Sequence, residues 1–193
     1  MSNLGNSLER RDVVGQLLQD RGDLLVVAGL GSSCYDILSI EDNSADFPLW
    51  GAMGAASMMG LGLAIAQPDR RIVVITGDGE ILMGLGGLGT IANKAPSNLA
   101  IVVLDNERYG ETGMQETHTA GPMNLAAVAA GAGFPVTGTV RSNEDLNDAI
   151  PMIRQQPGPV FFDIKIFANQ ASDIPRPQDG VMLKQRFREA LQV

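Results

Sequence analysis

Four short runs of branched apolar residues constrain this chain most: 24–28 (LLVVA), 71–76 (RIVVIT), 99–105 (LAIVVLD) and 160–166 (VFFDIKI). A strand wetted on one face alternates apolar with polar residues, whereas these runs stay apolar at nearly every position. That pattern belongs to strands covered on both faces, as in a parallel sheet sandwiched between helices. A weaker strand is expected at 134–140, and helices are expected at 8–19, 52–66, 80–93, 123–132, 143–155 and 182–191. Strands alternating with helices predict an α/β fold: a doubly wound, mostly parallel sheet with helices on both faces.

Local signals refine this outline. Ser142 followed by Asp145 reads as a helix N-cap with an acidic first turn. Pro151 is expected to kink or end that helix early, and Pro157-Gly158-Pro159 to stop the chain before the last strand. Residues 169–180, with Pro175 and Pro177, read as an exposed linker to a terminal helix. The 193 residues of the chain suit a single domain, 1–193, with one sizeable core.

Charge and cysteine content exclude several function classes. The formal net charge is −8 and no Lys/Arg-rich run occurs, which argues against nucleic acid as a partner. An anionic small ligand would need local donors rather than a favourable overall field. Cys34 is the only cysteine, so no intrachain disulfide can form, and a buried thiol in a reducing compartment is expected. The polar start MSNLGNSLERRDVV does not resemble a secretion signal. The most apolar stretch, 51–66, is shorter than the ~20 residues of a spanning helix and is interrupted by glycines. No membrane association is expected, and the protein reads as cytoplasmic.

In an open parallel sheet, ligands bind beyond the carboxyl ends of the strands. Three loops leave those ends: Gly29-Leu30-Gly31-Ser32-Ser33, Gly77-Asp78-Gly79-Glu80, and Asp105-Asn106-Glu107-Arg108-Tyr109-Gly110. A literal G-x-G-x-x-G at 84–89 is a decoy for a dinucleotide site, because it does not follow its strand directly and falls inside an expected helix. Glycine there costs roughly 1 kcal/mol relative to alanine, so close packing against a neighbour is the better explanation.

Gly77-Asp78-Gly79 ends one buried run and Asn106 ends the next, with a helix and a strand between them. The two loops can therefore lie side by side. Asp78 and Asn106 offer hard oxygen ligands, and a main-chain carbonyl could add a third, as an octahedral Mg²⁺ site shared with a diphosphate would require. A helix opening near Glu80 would aim backbone N–H groups at the same place.

GDG paired with LDN at this separation resembles the signature of thiamine diphosphate (ThDP) dependent enzymes, and the chain resembles the diphosphate-binding domain of that family. The resemblance extends to Leu49-Trp50-Gly51-Ala52-Met53-Gly54. There it implies that a Gly51 main-chain oxygen contacts the aminopyrimidine and that Met53 props the cofactor in its bent form. It also implies Gly31, Ser32 and Ser33 as the first diphosphate loop, with Gly77, Asp78, Gly79 and Glu80 as the second. Asp78, Asn106 and the Arg108 carbonyl become the Mg²⁺ ligands, and Gly110, Glu111 and Thr112 border the cofactor.

Separate subunits of this size resemble the β subunits of sulfopyruvate decarboxylase and the related phosphonopyruvate decarboxylases. The likeness is best over 53–110, and Met114 and Glu116 stand where those relatives usually show glycine and proline. The resemblance implies loss of CO₂ from a 2-oxo acid with release of an aldehyde. The pyrimidine half of the site, with its activating glutamate, is expected on an α subunit, making a hetero-oligomer with the cofactor at the interface. His118, the only histidine, is the candidate proton donor or substrate contact. The competing expectations are the ThDP half of a 2-oxo acid oxidoreductase or carboligase, and a non-catalytic scaffold subunit of the same fold.

Overall fold

The structure, a computed structural model, describes residues 8–169 and 179–191. In chain order its sheet strands are β1 (Leu25–Ala28), β2 (Asp46–Pro48), β3 (Ile72–Gly77), β4 (Leu99–Asp105), β7 (Val136–Val140) and β8 (Val160–Lys165). Two short strands, β5 (Arg108–Tyr109) and β6 (Gln115–Glu116), form a separate antiparallel hairpin. The helices are α1 (Arg10–Leu18), α2 (Ser32–Ile40), α3 (Ala56–Ala66), α4 (Asp78–Met83), α5 (Gly87–Lys94), α6 (Leu125–Ala132), α7 (Asn143–Gln155) and α8 (Gly180–Ala190).

The six main strands are ordered β2-β1-β3-β4-β8-β7, and every pairing is parallel. Why the central runs are continuously apolar is visible in their two faces. Val26 and Ala28 of β1, with Val73, Ile75, Val102 and Leu104, pack against Val14 and Leu17 of α1, Ile37 of α2 and Leu146 and Ile153 of α7. Leu25 and Val27, with Ile72, Val74, Ile101 and Val103, pack against Leu61 of α3, Ile81 of α4, Ile91 of α5 and Leu125 of α6. Alternate residues thus feed opposite cores, so a polar side chain within these runs is buried and needs a protein partner, as Thr76 and Asp105 have at the carboxyl ends. The doubly wound fold is as the sequence led us to expect. Among the described residues no helix is long and apolar enough to cross a membrane.

The element boundaries carry the differences. The expected helix 80–93 is two helices, α4 and α5, broken at Gly84–Gly86 because Gly84 lies against Gly54. A Cβ on Gly84 would sit 2.1 Å from the Gly54 carbonyl oxygen, so only glycine permits this approach. Gly87 abuts Met58 of α3, whereas a Cβ on Gly86 or Gly89 would meet open space. Close packing therefore accounts for the first and third of these glycines. The expected helix 52–66 starts only at Ala56, since Ala52 and Gly54 take positive φ values of 58° and 85°.

Helix α2 and strand β2 were not expected. β2 is a three-residue edge strand holding Phe47 and Pro48, too short for a periodic signal, and it pairs with β1 alone. Ser142 and Asp145 form a complete capping box on α7. Pro151 does not end α7, which runs on to Gln155. Pro151 and Asn147, whose carbonyl it leaves unbonded, both lie exposed, so water can satisfy that oxygen. The expected linker falls largely outside the described residues, and α8 behind it is capped by Asp179.

Candidate active site

The strand order reverses between β1 and β3, since β2 lies on one side of β1 and β4 on the far side of β3. The loops after these strands must diverge there, which opens a crevice at the carboxyl edge. A cavity of about 180 Å³ lies there. Its walls include Gly31, Ser32 and Ser33 after β1, then Gly77, Asp78, Gly79 and Glu80 after β3. Asn106 and Arg108 follow β4, Gly110, Glu111 and Thr112 close the far side, and Met53 reaches in from the loop before α3. Residues from four stretches of sequence are thus brought to one pocket. A larger hollow of about 690 Å³ along α1 shares none of these loops.

Two of the expected residues fall outside the lining. Gly51 belongs to the same loop as Met53 but does not border the cavity. His118 is exposed and does not border it either. Its neighbours Thr117 and Thr119 turn inward instead. The structure adds Arg10, Leu30, Leu104 and Tyr109 to the walls. Arg10 is buried and donates from Nε and Nη2 to Asp36 Oδ2 at 2.8 and 2.7 Å, tying α1 to the helix that carries Ser32 and Ser33. No motif announces Arg10, which meets the site only through tertiary contact. Tyr109 packs over the GDG turn so closely that a Cβ on Gly79 would lie 2.6 Å from its ring.

The Glu80 carboxylate is committed to the protein itself. Its Oε1 accepts from the backbone N–H groups of Gly54 (2.9 Å) and Ala56 (3.1 Å), and its Oε2 accepts from Thr76 Oγ1 (2.6 Å). Glu80 therefore clamps the loop bearing Met53 onto the start of α4, and its contribution to the pocket is to hold that loop. Met53 is left 42% exposed, ready to be covered by whatever enters.

Beneath the pocket lies a buried acidic layer. Asp78 Oδ2 accepts from Thr117 Oγ1 (2.5 Å) and lies 3.2 Å from Thr119 Oγ1, which also reaches Asp105 Oδ1 at 2.8 Å. Lys165 Nζ donates to Asp105 Oδ2 (2.6 Å) and Glu107 Oε1 (3.2 Å). Burial, and secondarily the Asp105 charge, raises the Asp78 pKa to about 6, against the hydrogen bonds from Thr117 and Thr119. Asp163 on β8 is raised to about 8 for the same two reasons, and its Oδ1 finds no hydrogen-bond partner among the described residues. A second cation near Asp78 would relieve this concentration of negative charge.

The donor set fits a small hard cation held jointly with an anionic ligand. No group of three His, Cys, Asp or Glu side chains suited to a metal occurs among the described residues. A cation here would take the Asp78 carboxylate, the Asn106 amide oxygen and main-chain oxygen, and would need ligand oxygens to complete its shell. Asn106 Oδ1 also accepts the Arg108 N–H at 3.0 Å, which fixes the amide while leaving it a second lone pair. At the opposite wall, α2 opens at Gly31, which has no side chain to cap it, so the helix start at Ser32 and Ser33 borders the cavity with its N-terminal end, while the Cys34 N–H is taken by the Gly31 carbonyl at 3.1 Å. The Arg108 side chain turns away, to the Glu107 carbonyl at 2.8 Å and Glu116 at 3.3 Å.

Fold and pocket define a doubly wound α/β domain with its ligand site at the topological switch point. The chain belongs to the thiamine pyrophosphate enzymes: the C-terminal TPP binding domain of that family matches residues 33–164. Among its relatives is the sulfopyruvate decarboxylase subunit beta of Methanothermobacter thermautotrophicus, 43% identical over 170 residues covering 87% of this chain and 86% of that protein. The phosphonopyruvate decarboxylase of Streptomyces viridochromogenes is 36% identical over 86% of this chain but only 42% of its own length. The fold is shared with the ThDP-dependent 4-hydroxybenzoylformate decarboxylase of Rhodococcus jostii RHA1. That match has a TM-score of 0.73 at 19% identity, and covers 88% of this chain and 34% of that one.

Proposed function

We propose that this chain is the ThDP- and Mg²⁺-holding subunit of a two-subunit 2-oxo acid decarboxylase of the sulfopyruvate or phosphonopyruvate type. The observation that carries the reading is the pairing, in one crevice, of the α2 N-terminus at Gly31, Ser32 and Ser33 with the oxygen set of Asp78 and Asn106. One wall suits a diphosphate and the other suits the cation that would neutralise it. In a chain of net charge −8, an anionic cofactor has little other attraction.

Asp78, Asn106 and the Arg108 carbonyl would hold Mg²⁺. Gly31, Ser32, Ser33, Gly77 and Gly79 would cradle the diphosphate, while Met53 and the Gly51 carbonyl would seat the aminopyrimidine. Gly110, Glu111 and Thr112 would border the thiazolium, and Glu80 would act by holding the Met53 loop. When bound, ThDP supplies an electron sink for the carbon–carbon cleavage that releases CO₂. The chain's own residues position the cofactor and neutralise its charge. The relative that is matched over only 42% of its length carries further sequence, which supports a partner subunit here. That partner would bring the pyrimidine half and its activating glutamate, and its docking could place the exposed His118 at the reaction centre. The assembly is expected to be cytoplasmic.

The test is to co-express the chain with its partner and to measure CO₂ release from sulfopyruvate, phosphonopyruvate and other 2-oxo acids with ThDP and Mg²⁺. Decarboxylation of one of them is expected. Bound cofactor without CO₂ from any 2-oxo acid would refute the decarboxylase assignment. Asp78→Ala should abolish Mg²⁺-dependent ThDP binding in calorimetry, and unchanged binding would refute the cation assignment.

A further inference from the structure

The segment Thr117-His118-Thr119 is tied to the site by its two hydroxyl groups rather than by its histidine. Both threonines are 5% exposed. The β5–β6 hairpin delivers them: Arg108 pairs with Glu116, Tyr109 with Gln115, and the Thr117 N–H donates to the Glu107 carbonyl at 3.1 Å. The chain that leaves β4 with Asn106 thus folds back and sets Thr117 against Asp78.

Proton counting shows which hydroxyl is dedicated to Asp78. Each hydroxyl has a single hydrogen to donate. Thr119 Oγ1 lies closer to Asp105 Oδ1 (2.8 Å) than to Asp78 Oδ2 (3.2 Å), so its proton is best placed on Asp105. Thr117 Oγ1 lies 2.9 Å from Thr119 Oγ1 but 2.5 Å from Asp78 Oδ2, so with the Thr119 proton on Asp105 its own proton is best placed on Asp78. Asp78 Oδ2 is therefore occupied, and Oδ1 is the oxygen that takes neither hydroxyl. With both threonine hydroxyls packed against Oδ2, that oxygen is the poorer metal ligand, and Oδ1 is the one Asp78 offers first. Mg²⁺ is satisfied by single oxygens at octahedral positions near 2.0–2.1 Å, whereas Ca²⁺ takes six to eight oxygens and readily accepts both from one carboxylate.

We propose that Thr117 is a positioning residue that holds Asp78 as a one-oxygen ligand, and so makes the site prefer a small octahedral cation over a larger one. This rests on the assignment of Asp78 as a cation ligand made above. Outer partners of metal ligands typically matter by about 10–100-fold in metal affinity.

The experiment uses the full chain co-purified with its partner subunit, at saturating ThDP. Cofactor binding is followed by calorimetry while either Mg²⁺ or Ca²⁺ is titrated. Thr117→Val should weaken the Mg²⁺ half-saturation about tenfold or more and the Ca²⁺ one much less, so the ratio between the two ions narrows. Thr117→Ser, which restores the hydroxyl, should keep the wild-type ratio. Thr119→Val should also keep it, because the hydroxyl on Asp78 remains. A Thr117→Val protein with the wild-type ion ratio overturns the proposal while leaving Asp78 a ligand. Metal-independent ThDP binding by the wild type, or by Asp78→Ala, overturns the ligand assignment itself and the proposal with it. Melting without metal shows whether each variant is folded. If Thr117→Val is not, Thr117→Ala carries the same expectation and the same refutation.

Discussion

Removal of the Glu80 carboxylate is the sharpest test of how this pocket is built. In Glu80→Ala, the Ala56 N–H loses its acceptor at a fully buried residue, and the Thr76 hydroxyl loses its partner at another. Each buried donor left unsatisfied costs about 1–3 kcal/mol. The Gly54 N–H is only half-buried and can turn to water at little further cost. The total comes to about 2–6 kcal/mol, whose upper part is the range where point substitutions become exceptional. Glu80→Gln behaves differently. Its amide oxygen can keep both N–H bonds, and its NH₂ can face Thr76 because a hydroxyl also accepts. The charge assistance and the acceptor for the Thr76 proton are lost while both N–H bonds survive, a cost of about 1–3 kcal/mol and below that of alanine. Urea denaturation followed by far-UV circular dichroism measures both variants, with equal m-values required for the comparison. Glu80→Ala should also bind ThDP more weakly, since the Met53 loop is released. A cost for alanine below about 1 kcal/mol, or a glutamine as harmful as alanine, would refute the clamp.

Two further outcomes are expected. Gly84→Ala should destabilise strongly, by about 3 kcal/mol or more, because its Cβ would lie 2.1 Å from the Gly54 carbonyl oxygen; Gly89→Ala, inside α5 with open space around it, should stabilise by about 0.5–1 kcal/mol. Thermal melts of the pair check this, and equal effects would contradict the packing account. Asp163, with its folded pKa raised from 3.8 to about 8, makes the folded state bind more protons than the unfolded one between those values. Its contribution is therefore fully present below about pH 4 and is lost as pH rises through about 8. Asp163→Asn should flatten that part of the stability profile, as chemical denaturation at a series of pH values would show. An unchanged slope would count against it.

Much of this architecture was legible in the residues. The runs that became β1, β3, β4 and β8 announce two covered faces because they stay apolar at nearly every position, with polar exceptions such as Thr76 and Asp105 at the carboxyl edge where the pocket lies. GDG and LDN mark loops at the correct sheet edge, and Ser142 with Asp145 marks the start of α7 because a cap is a local hydrogen-bond device. What failed was what local pattern does not encode. Helix 80–93 divides because Gly84 meets Gly54, a contact between segments far apart in sequence. Pro151 is tolerated because its orphaned carbonyl faces water, which depends on how α7 is docked. Strand β2 exists because β1 offers it an edge.

By itself the sequence determined the doubly wound class and the loops that bound the pocket, since hydrophobic period and turn chemistry are properties of neighbouring residues. Tertiary structure alone decided what each polar group in those loops is for. It turned Glu80 into a clamp, brought Arg10 to the wall, left His118 exposed and set Thr117 on Asp78. A hydrogen bond needs a partner within about 3 Å, and that partner is chosen by the packing of distant elements, which no short stretch of sequence records.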